Sequence, residues 1–219
     1  MKRYLDILKN VSLFRNIEFE NLAAMLSCLG TRKQEYEAGC VIILAGDNIQ
    51  DVGIVIKGTI QIIKEDIMGN RAIIAKLNES DIFSETLACA NVEESPVTVM
   101  ALTPATVLFI SVKRIITTCS SSCVFHTTLV SNLLKVIAKK NIYLTNKMNI
   151  LSQRTIREKI LTYLTTQADN AGSLIFTIPF NRGELADFLS VDRSALSREL
   201  ANMQALGLID YHKNDFKLL

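Results

Sequence analysis

The 219-residue chain carries 24 Lys/Arg against 22 Asp/Glu, a formal net charge of +2, and is 49% hydrophobic and 21% charged. This composition supports a packed core and excludes wholesale disorder, and a charge so near zero excludes a general pull on nucleic acid, leaving only local placement of charge to act. No apolar run approaches the ~18 residues of a membrane helix, "MKRYLDILKN" lacks the features of a secretory signal, and five cysteines, an odd number, read as reduced thiols in a cytoplasmic protein.

From about residue 20 to 112 the apolar residues come in short β-branched runs. They are "VIIL" from 41, "VGIVI" from 52, "TIQII" from 59, "AIIA" from 72, "VTVMAL" from 97 and "TVLFI" from 106. Turn residues separate them: Gly39, Gly46-Asp47, Gly58, Gly69-Asn70, Asn78 to Asp81 and Thr103-Pro104. Short strands punctuated in this way predict an antiparallel sandwich or roll. Met68-Gly69-Asn70 is a candidate hairpin turn, because glycine and asparagine accept positive φ.

After residue 112 the pattern changes. No glycine occurs between Gly69 and Gly172, and no proline between Pro104 and Pro179. Val130, Ile137, Leu144 and Leu151 recur every seventh position, with Leu129, Leu133, Leu134 and Val136 beside them. That spacing predicts one long helix over about 125–151 with a wide apolar stripe. Lys140 and Lys147 occupy the alternate seam positions, which makes it a poor autonomous coiled coil. A helix with one side on its own roll and another on a partner's helix fits better, with Val130, Leu133, Ile137, Leu144 and Leu151 as the dimer stripe. A core helix within one subunit is the plainer alternative.

The remaining residues form a third unit. "TIREKILTYL" is an amphipathic helix ended by "DNAG", and "SLIFTIPF" is strand-like. Asn181, with Glu184 three residues later, reads as the start of a helix near a capping box. "SVDRSALSREL" begins the next, with Asp192 as its cap, and "LIDYHKNDFKLL" gives two short strands around Lys213 to Asp215. Two helices and a terminal hairpin read as a winged helix-turn-helix. At about 100° per residue, Arg193, Ser194, Ser197 and Arg198 fall within one sector, opposite Leu196, Leu200 and Met203. Arginine can pair bidentately with guanine O6 and N7, and serine can donate or accept. The sector lacks the Glu–Lys ladder of an ordinary solvated helix. It therefore points to DNA reading, with Arg182 and Asn202 as further contacts. Residues 152–219 hold eight Lys/Arg and eight Asp/Glu, so affinity must come from placed residues and from having two copies.

The order of these parts resembles the Crp/Fnr family of bacterial transcription regulators. The resemblance runs from about residue 10 to 219 and is carried by "YEAGCVIILAGD", "VIKGTIQI", "DIFSETLA", the long helix and "ELADFLSVDRSALSRELANMQALGLI". It implies an α+β fold in three parts. Residues 1–112 would be an effector-sensing, cyclic-nucleotide-binding-like β-roll (a jelly roll) with N-terminal helices. Residues 113–151 would be the dimerisation helix, and residues 152–219 the winged helix-turn-helix. It also implies a homodimer on palindromic double-stranded DNA, with RNA polymerase as a further partner. Arg193 and Arg198 match the family's two arginines, but Ser194 stands where glutamate is usual. A glutamate there accepts from cytosine N4, and a serine is expected to discriminate less.

The effector departs from the cyclic AMP pattern. Gly-Glu followed about ten residues later by Arg-Ser becomes Ser84-Glu85 and Ser95-Pro96 here, so the arginine that neutralises the cyclic phosphate is gone. A buried phosphate without that partner is costly, and cyclic AMP is not the expected ligand. The helix pair that would meet a purine falls at Lys140-Asn141. Ser84, Glu85, Ser95, Lys140 and Asn141 make up the candidate effector pocket, with Glu85 equally readable as a solvated loop residue. No Asp or Glu occurs between Glu94 and Glu158 while eight Lys/Arg do, so Lys139 or Lys140 is a candidate for meeting an anionic effector. The cysteines are too scattered for an iron–sulfur cluster, although Cys119 and Cys123 lie one helical turn apart. For haem, His126 is the candidate axial ligand. Neither cofactor is expected, and the effector stays an unknown small molecule or redox signal. The roll contains no histidine and no catalytic grouping, so the chain does not read as an enzyme. A ligand-sensing scaffold whose winged helix contacts protein is the alternative to a regulator.

Overall fold

The structure, a computed structural model, describes residues 6–66, 68, 71–117 and 124–219. Gly69-Asn70 of the expected hairpin turn, and Cys119 and Cys123, lie outside the described residues.

The β-branched runs form strands, as side chains stiff at χ1 favour. β1 (Arg32–Tyr36), β2 (Val41–Ile43), β3 (Asp51–Lys57), β4 (Ile60–Glu65), β5 (Arg71–Leu77), β6 (Ile82–Phe83), β7 (Thr98–Ala101) and β8 (Ala105–Ser111) build two four-stranded sheets. Their orders are β1-β8-β3-β6 and β2-β7-β4-β5, all neighbours antiparallel. β3 is buried over Val52–Ile56 without alternation, which explains its unbroken apolar run. β1 was not legible in the sequence. Its "RKQEY" is polar and almost wholly exposed, and it is a strand because β8 offers a free edge, while its charges guard its own outer edge.

Helices α1 (Phe19–Cys28), α2 (Glu85–Cys89) and α3 (Val112–Ile116) decorate the roll, and α4 (Val124–Leu151) is the long helix. α5 (Ile156–Ala171), β9 (Ile175–Thr177), α6 (Arg182–Leu189), α7 (Arg193–Ala205), β10 (Ile209–His212) and β11 (Asp215–Leu218) follow, with the last sheet ordered β10-β11-β9. The chain divides into two compact units, residues 1–139 and 140–219. The division falls inside α4, whereas the sequence suggested boundaries at its two ends.

In the first unit Leu129, Leu133 and Val136 of α4 join the core of the roll. Between them Asn132 is buried, its Nδ2 donating to the carbonyls of Leu13 at 3.0 Å and Arg15 at 2.7 Å. This overturns one assignment: Leu133, expected on the dimer stripe, is only 3% exposed within its own chain, while its neighbour Leu134 is 63% exposed. A one-residue step turns a helical side chain by ~100°, and the roll takes the leucine that serves its core. In the second unit Ile150, Ile160, Tyr163 and Leu164 pack with Leu185, Leu189, Leu196, Leu200 and Met203 and with Ile209 and Phe216 of the hairpin.

Gly53 sits on β3 opposite both Phe83 and Phe109, whose rings meet edge to face at 6.2 Å. A Cβ at this position would lie 2.2 Å from Phe83 Cζ. Overpacking of this kind costs about 1–3 kcal/mol. Gly53→Ala should therefore lower the urea midpoint of unfolding by the equivalent of that loss; an unchanged midpoint would mean the Phe83 ring yields freely.

Candidate nucleic-acid interface

The geometry of α7 is set from its N-terminus. Asp192 is the N-cap, and its Oδ1 accepts from the backbone N–H of Ser194 at 2.8 Å and of Ala195 at 3.0 Å. Ser194 Oγ donates to the same oxygen at 2.5 Å. These bonds hold the Asp192 carboxyl below the usual carboxylate range, the Ser194 hydroxyl contributing most, then the Ala195 and Ser194 amides, with nearby Arg198 adding a smaller effect. Asn181 caps α6 in the same manner within a full capping box with Glu184, as the sequence spacing indicated. The box of Thr155 and Glu158 at the start of α5 was missed, although Thr-x-x-Glu before an apolar run was its visible signal.

Leu196, Leu200 and Met203 are fully buried against Leu185, Ala186 and Leu189. This fixes the rotation of α7, and Arg193, Ser194, Ser197, Arg198 and Asn202 are exposed as the spacing implied. Neither guanidinium forms an ion pair among the described residues. Glu199, the helix's one acid, is instead drawn aside by Arg157 of α5, Nε to Oε1 at 2.6 Å. Ala201, exposed between the serines on the same sector, went unnoticed in the sequence. The arginines edge a centre of Ser194, Ser197 and Ala201, small side chains that let the helix backbone come close to whatever it meets.

Arg182 is placed differently. Its guanidinium lies 5.0 Å from the Tyr211 ring centroid and 5.8 Å from that of Phe216, and its Nη2 donates to the Lys213 carbonyl at 3.1 Å. Burial lowers its pKa. It ties the start of α6 to the β10–β11 hairpin. Two lysines serve the other end of α6. Lys147 of α4 donates to the Phe188 carbonyl and lies 3.3 Å from that ring's centroid, and Lys159 of α5 donates to the Leu189 carbonyl at 3.4 Å. Cations at a helix C-terminus satisfy its open carbonyls and its dipole. The polar interruption at 147 thus has an intramolecular purpose that the sequence did not reveal.

The candidate effector residues divide between the two units. Ser84, in a left-handed conformation at φ 58°, donates to the Asp51 carbonyl at 2.7 Å, and Ser95 donates to that of Val97 at 2.7 Å. Both hydroxyls stitch loops. Glu85 is 2% exposed in the first turn of α2, so its reading as a solvated loop residue is corrected. Lys140 and Asn141 lie exposed on the part of α4 that belongs to the second unit. His126 is buried, and its Nδ1 has no hydrogen-bond partner among the described residues. Among the described residues Cys28, Cys40 and Cys89 are free, and each residue is exposed overall; partial desolvation of the Cys89 sulfur, with Glu85 nearby, still pushes that thiol up and makes it a poor thiolate. A cleft of 540 Å³ on the roll, lined among others by Lys33, Tyr36, Lys57 and Thr106, includes none of the expected pocket residues. Among the described residues no three His, Cys, Asp or Glu converge as metal ligands, and no helix is long and apolar enough to cross a membrane.

Comparison with known proteins bears on this arrangement directly. Residues 33–122 match the cyclic nucleotide-binding domain family, and residues 158–219 match the Crp-like helix-turn-helix domain family. The chain belongs to the Crp/Fnr family. Its members are DNA-binding transcription regulators, and the α+β architecture of roll, long helix and helix-turn-helix is theirs. The catabolite activator protein of Thermus thermophilus has the same fold at a TM-score of 0.56 and 18% identity, over 95% of this chain and 93% of that one. DNR from Pseudomonas aeruginosa matches at 0.52 and 18%, over 100% and 95%. CprK, solved in complex with OCPA, matches at 0.58 and 14%, over 89% and 88%. No curated protein is similar enough in sequence to match.

In this Crp/Fnr chain α7 depends on a charged cap. A carboxyl whose folded pKa is depressed stabilises above its ordinary value, about 3.9, and that stabilisation is lost as pH falls through the lower folded value. Asp192→Asn keeps an oxygen to cap α7 but no charge. The wild-type lead over Asp192→Asn in denaturant unfolding should be constant from about pH 5 to 8 and close below about pH 4. A lead persisting unchanged to pH ~2 would contradict this.

Proposed function

We propose that this regulator is a cytoplasmic homodimer that binds a pseudo-palindromic double-stranded DNA site through α7. Arg193 and Arg198 would read guanines in each half-site, with Ser194, Ser197 and Asn202 completing the contact. The observation that carries this is the pair of exposed guanidiniums that form no ion pair among the described residues, on a helix whose single acid is held by Arg157. Arg182 acts here mainly by fixing the hairpin that would lie beside the groove. RNA polymerase is the natural further partner if the regulator activates.

Exposed apolar residues support a partner-facing stripe on α4, edged by the half-buried Val130, Ile137 and Leu151. Val130, Leu134, Ile137, Asn141, Leu144, Met148 and Leu151 alternate in steps of four and three, the spacing of a two-helix seam. Leu134, Leu144 and Met148 are 63%, 58% and 70% exposed, although each is apolar. By sequence spacing the alternate seam positions fall at Lys140 and Lys147, one residue off this line. Asn141, first assigned to the effector pocket, fits the single polar seam position that sets register in such pairs. Lys140 and Lys147 then flank the seam. In an antiparallel pairing they would approach their own kind, so a parallel pair is favoured.

The effector is read as a small molecule other than cyclic AMP. The loop that should neutralise a cyclic phosphate carries Glu93, Glu94 and Pro96 and no cation, close after the buried Glu85. CprK, of the same fold, carries OCPA, so the fold admits a bound small molecule.

Selection from a random duplex pool tests the reading: an enriched inverted repeat supports it, and no enrichment favours a scaffold that contacts protein. Arg198→Ala should relax base preference at one position per half-site as well as weaken binding, by about 1–3 kcal/mol for a lost arginine–guanine pair. Uniform weakening across sequences would confine Arg198 to phosphate. Leu144→Glu, on a residue exposed in the single chain, should give a folded monomer by sedimentation that no longer holds the palindrome; a stable dimer would remove α4 from the interface.

A further inference from the structure

The two serines at the centre of the α7 face use their hydroxyl protons inside their own chain. Ser194 Oγ donates to Asp192 Oδ1 at 2.5 Å, and Ser197 Oγ donates to the Arg193 carbonyl at 3.0 Å. A serine hydroxyl has one proton and two acceptor lone pairs. When the proton is held by the helix, what the side chain shows outward is an acceptor.

The two bonds differ in strength. Ser197 gives its proton to a neutral carbonyl. Ser194 gives it to a carboxylate, a charge-assisted bond roughly twice as strong as a neutral one. That carboxylate is also fixed in place, because the same oxygen takes the amides of Ser194 and Ala195. It cannot swing away without uncapping the helix. Turning the Ser194 proton outward would forfeit the short bond, so its acceptor face is the stable one.

We propose that Ser194 reads DNA as a hydrogen-bond acceptor, its proton retained by Asp192, and so selects a base that offers an amino group in the major groove. Those groups are cytosine N4 and adenine N6; guanine and thymine present only acceptors at the corresponding positions. The serine at 194 is then not the indiscriminate donor-or-acceptor that the sequence suggested. With Asp192 behind it, the pair supplies the acceptor character that a glutamate would supply alone. The inference rests on the DNA-reading function proposed above.

The test uses the full-length protein and begins with selection from random duplex DNA by wild type, Ser194→Ala and Ser194→Thr. Wild type and Ser194→Thr should share a preference at one position per half-site that Ser194→Ala loses, while the guanines assigned to Arg193 and Arg198 remain. At that position the exocyclic amino group is then deleted, with 2-pyrimidinone for cytosine or purine for adenine. Deletion should weaken wild type about fivefold or more, the low end for one mismatched pair, and leave Ser194→Ala unaffected. Asp192→Asn should show a smaller penalty than wild type, and an equal one would remove Asp192 from the assignment. An identical selected sequence for wild type and Ser194→Ala would overturn the inference. So would a wild-type loss on replacing guanine N7 by carbon at that pair, since Ser194 would then be donating. A wild type that selects no sequence at all would instead remove the DNA reading beneath it.

Discussion

The rotation of α7 about its own axis is the constraint on which the functional reading depends. Leu196, Leu200 and Met203 are sealed against Leu185, Ala186 and Leu189, and burying such side chains contributes about 1.5–3 kcal/mol each. No other rotation keeps all three dry. The outward sector follows from that burial, and with it the exposure of Arg193, Ser194, Ser197 and Arg198. Electrostatics then refines what packing has set. Arg157 draws Glu199 toward α5, and Asp192 spends its charge on the helix N-terminus, where a negative group is favoured. Residues 152–219, with eight acids and eight bases, thereby present cations on one helical face.

The second unit is held together at α6 as well. Arg182 binds its start to the hairpin, and Lys147 and Lys159 close its end. Because Lys147 belongs to α4, the helix proposed as the dimer seam is bonded directly to α6, which packs against α7. A change in how two α4 helices pair would act on the carbonyl of Phe188, at the turn that leads into α7. On the dimer proposed above, this bond links the seam to the turn before α7.

Periodicity made much of this legible. The β-branched runs gave the apolar strands, the seven-residue recurrence gave α4, and Asn181 and Asp192 gave the starts of α6 and α7. The failures share a cause: they concern which of two neighbouring residues meets a partner distant in sequence. β1 has no apolar signal and owes its form to β8. Leu133 and Leu134 are adjacent leucines, and only the roll decides which is buried. Lys147 reads as a flaw in an apolar stripe until the Phe188 carbonyl is known. Glu85 reads equally as a pocket residue or a solvated loop residue until α2 is seen to bury it. The candidate pocket was the least legible part, since it was carried by resemblance, and Ser84 and Ser95 turn out to spend their hydroxyls on backbone carbonyls.

Methylation of guanine N7 in a selected duplex, followed by recovery of the fraction still bound, tests the central claim most directly. The methyl group blocks the edge an arginine must reach. Two clusters of interfering guanines in the major groove, centred one helical turn or about 10 base pairs apart, are the predicted result, with two chains per duplex. Binding indifferent to N7 methylation, or a single cluster held by one chain, would contradict the account.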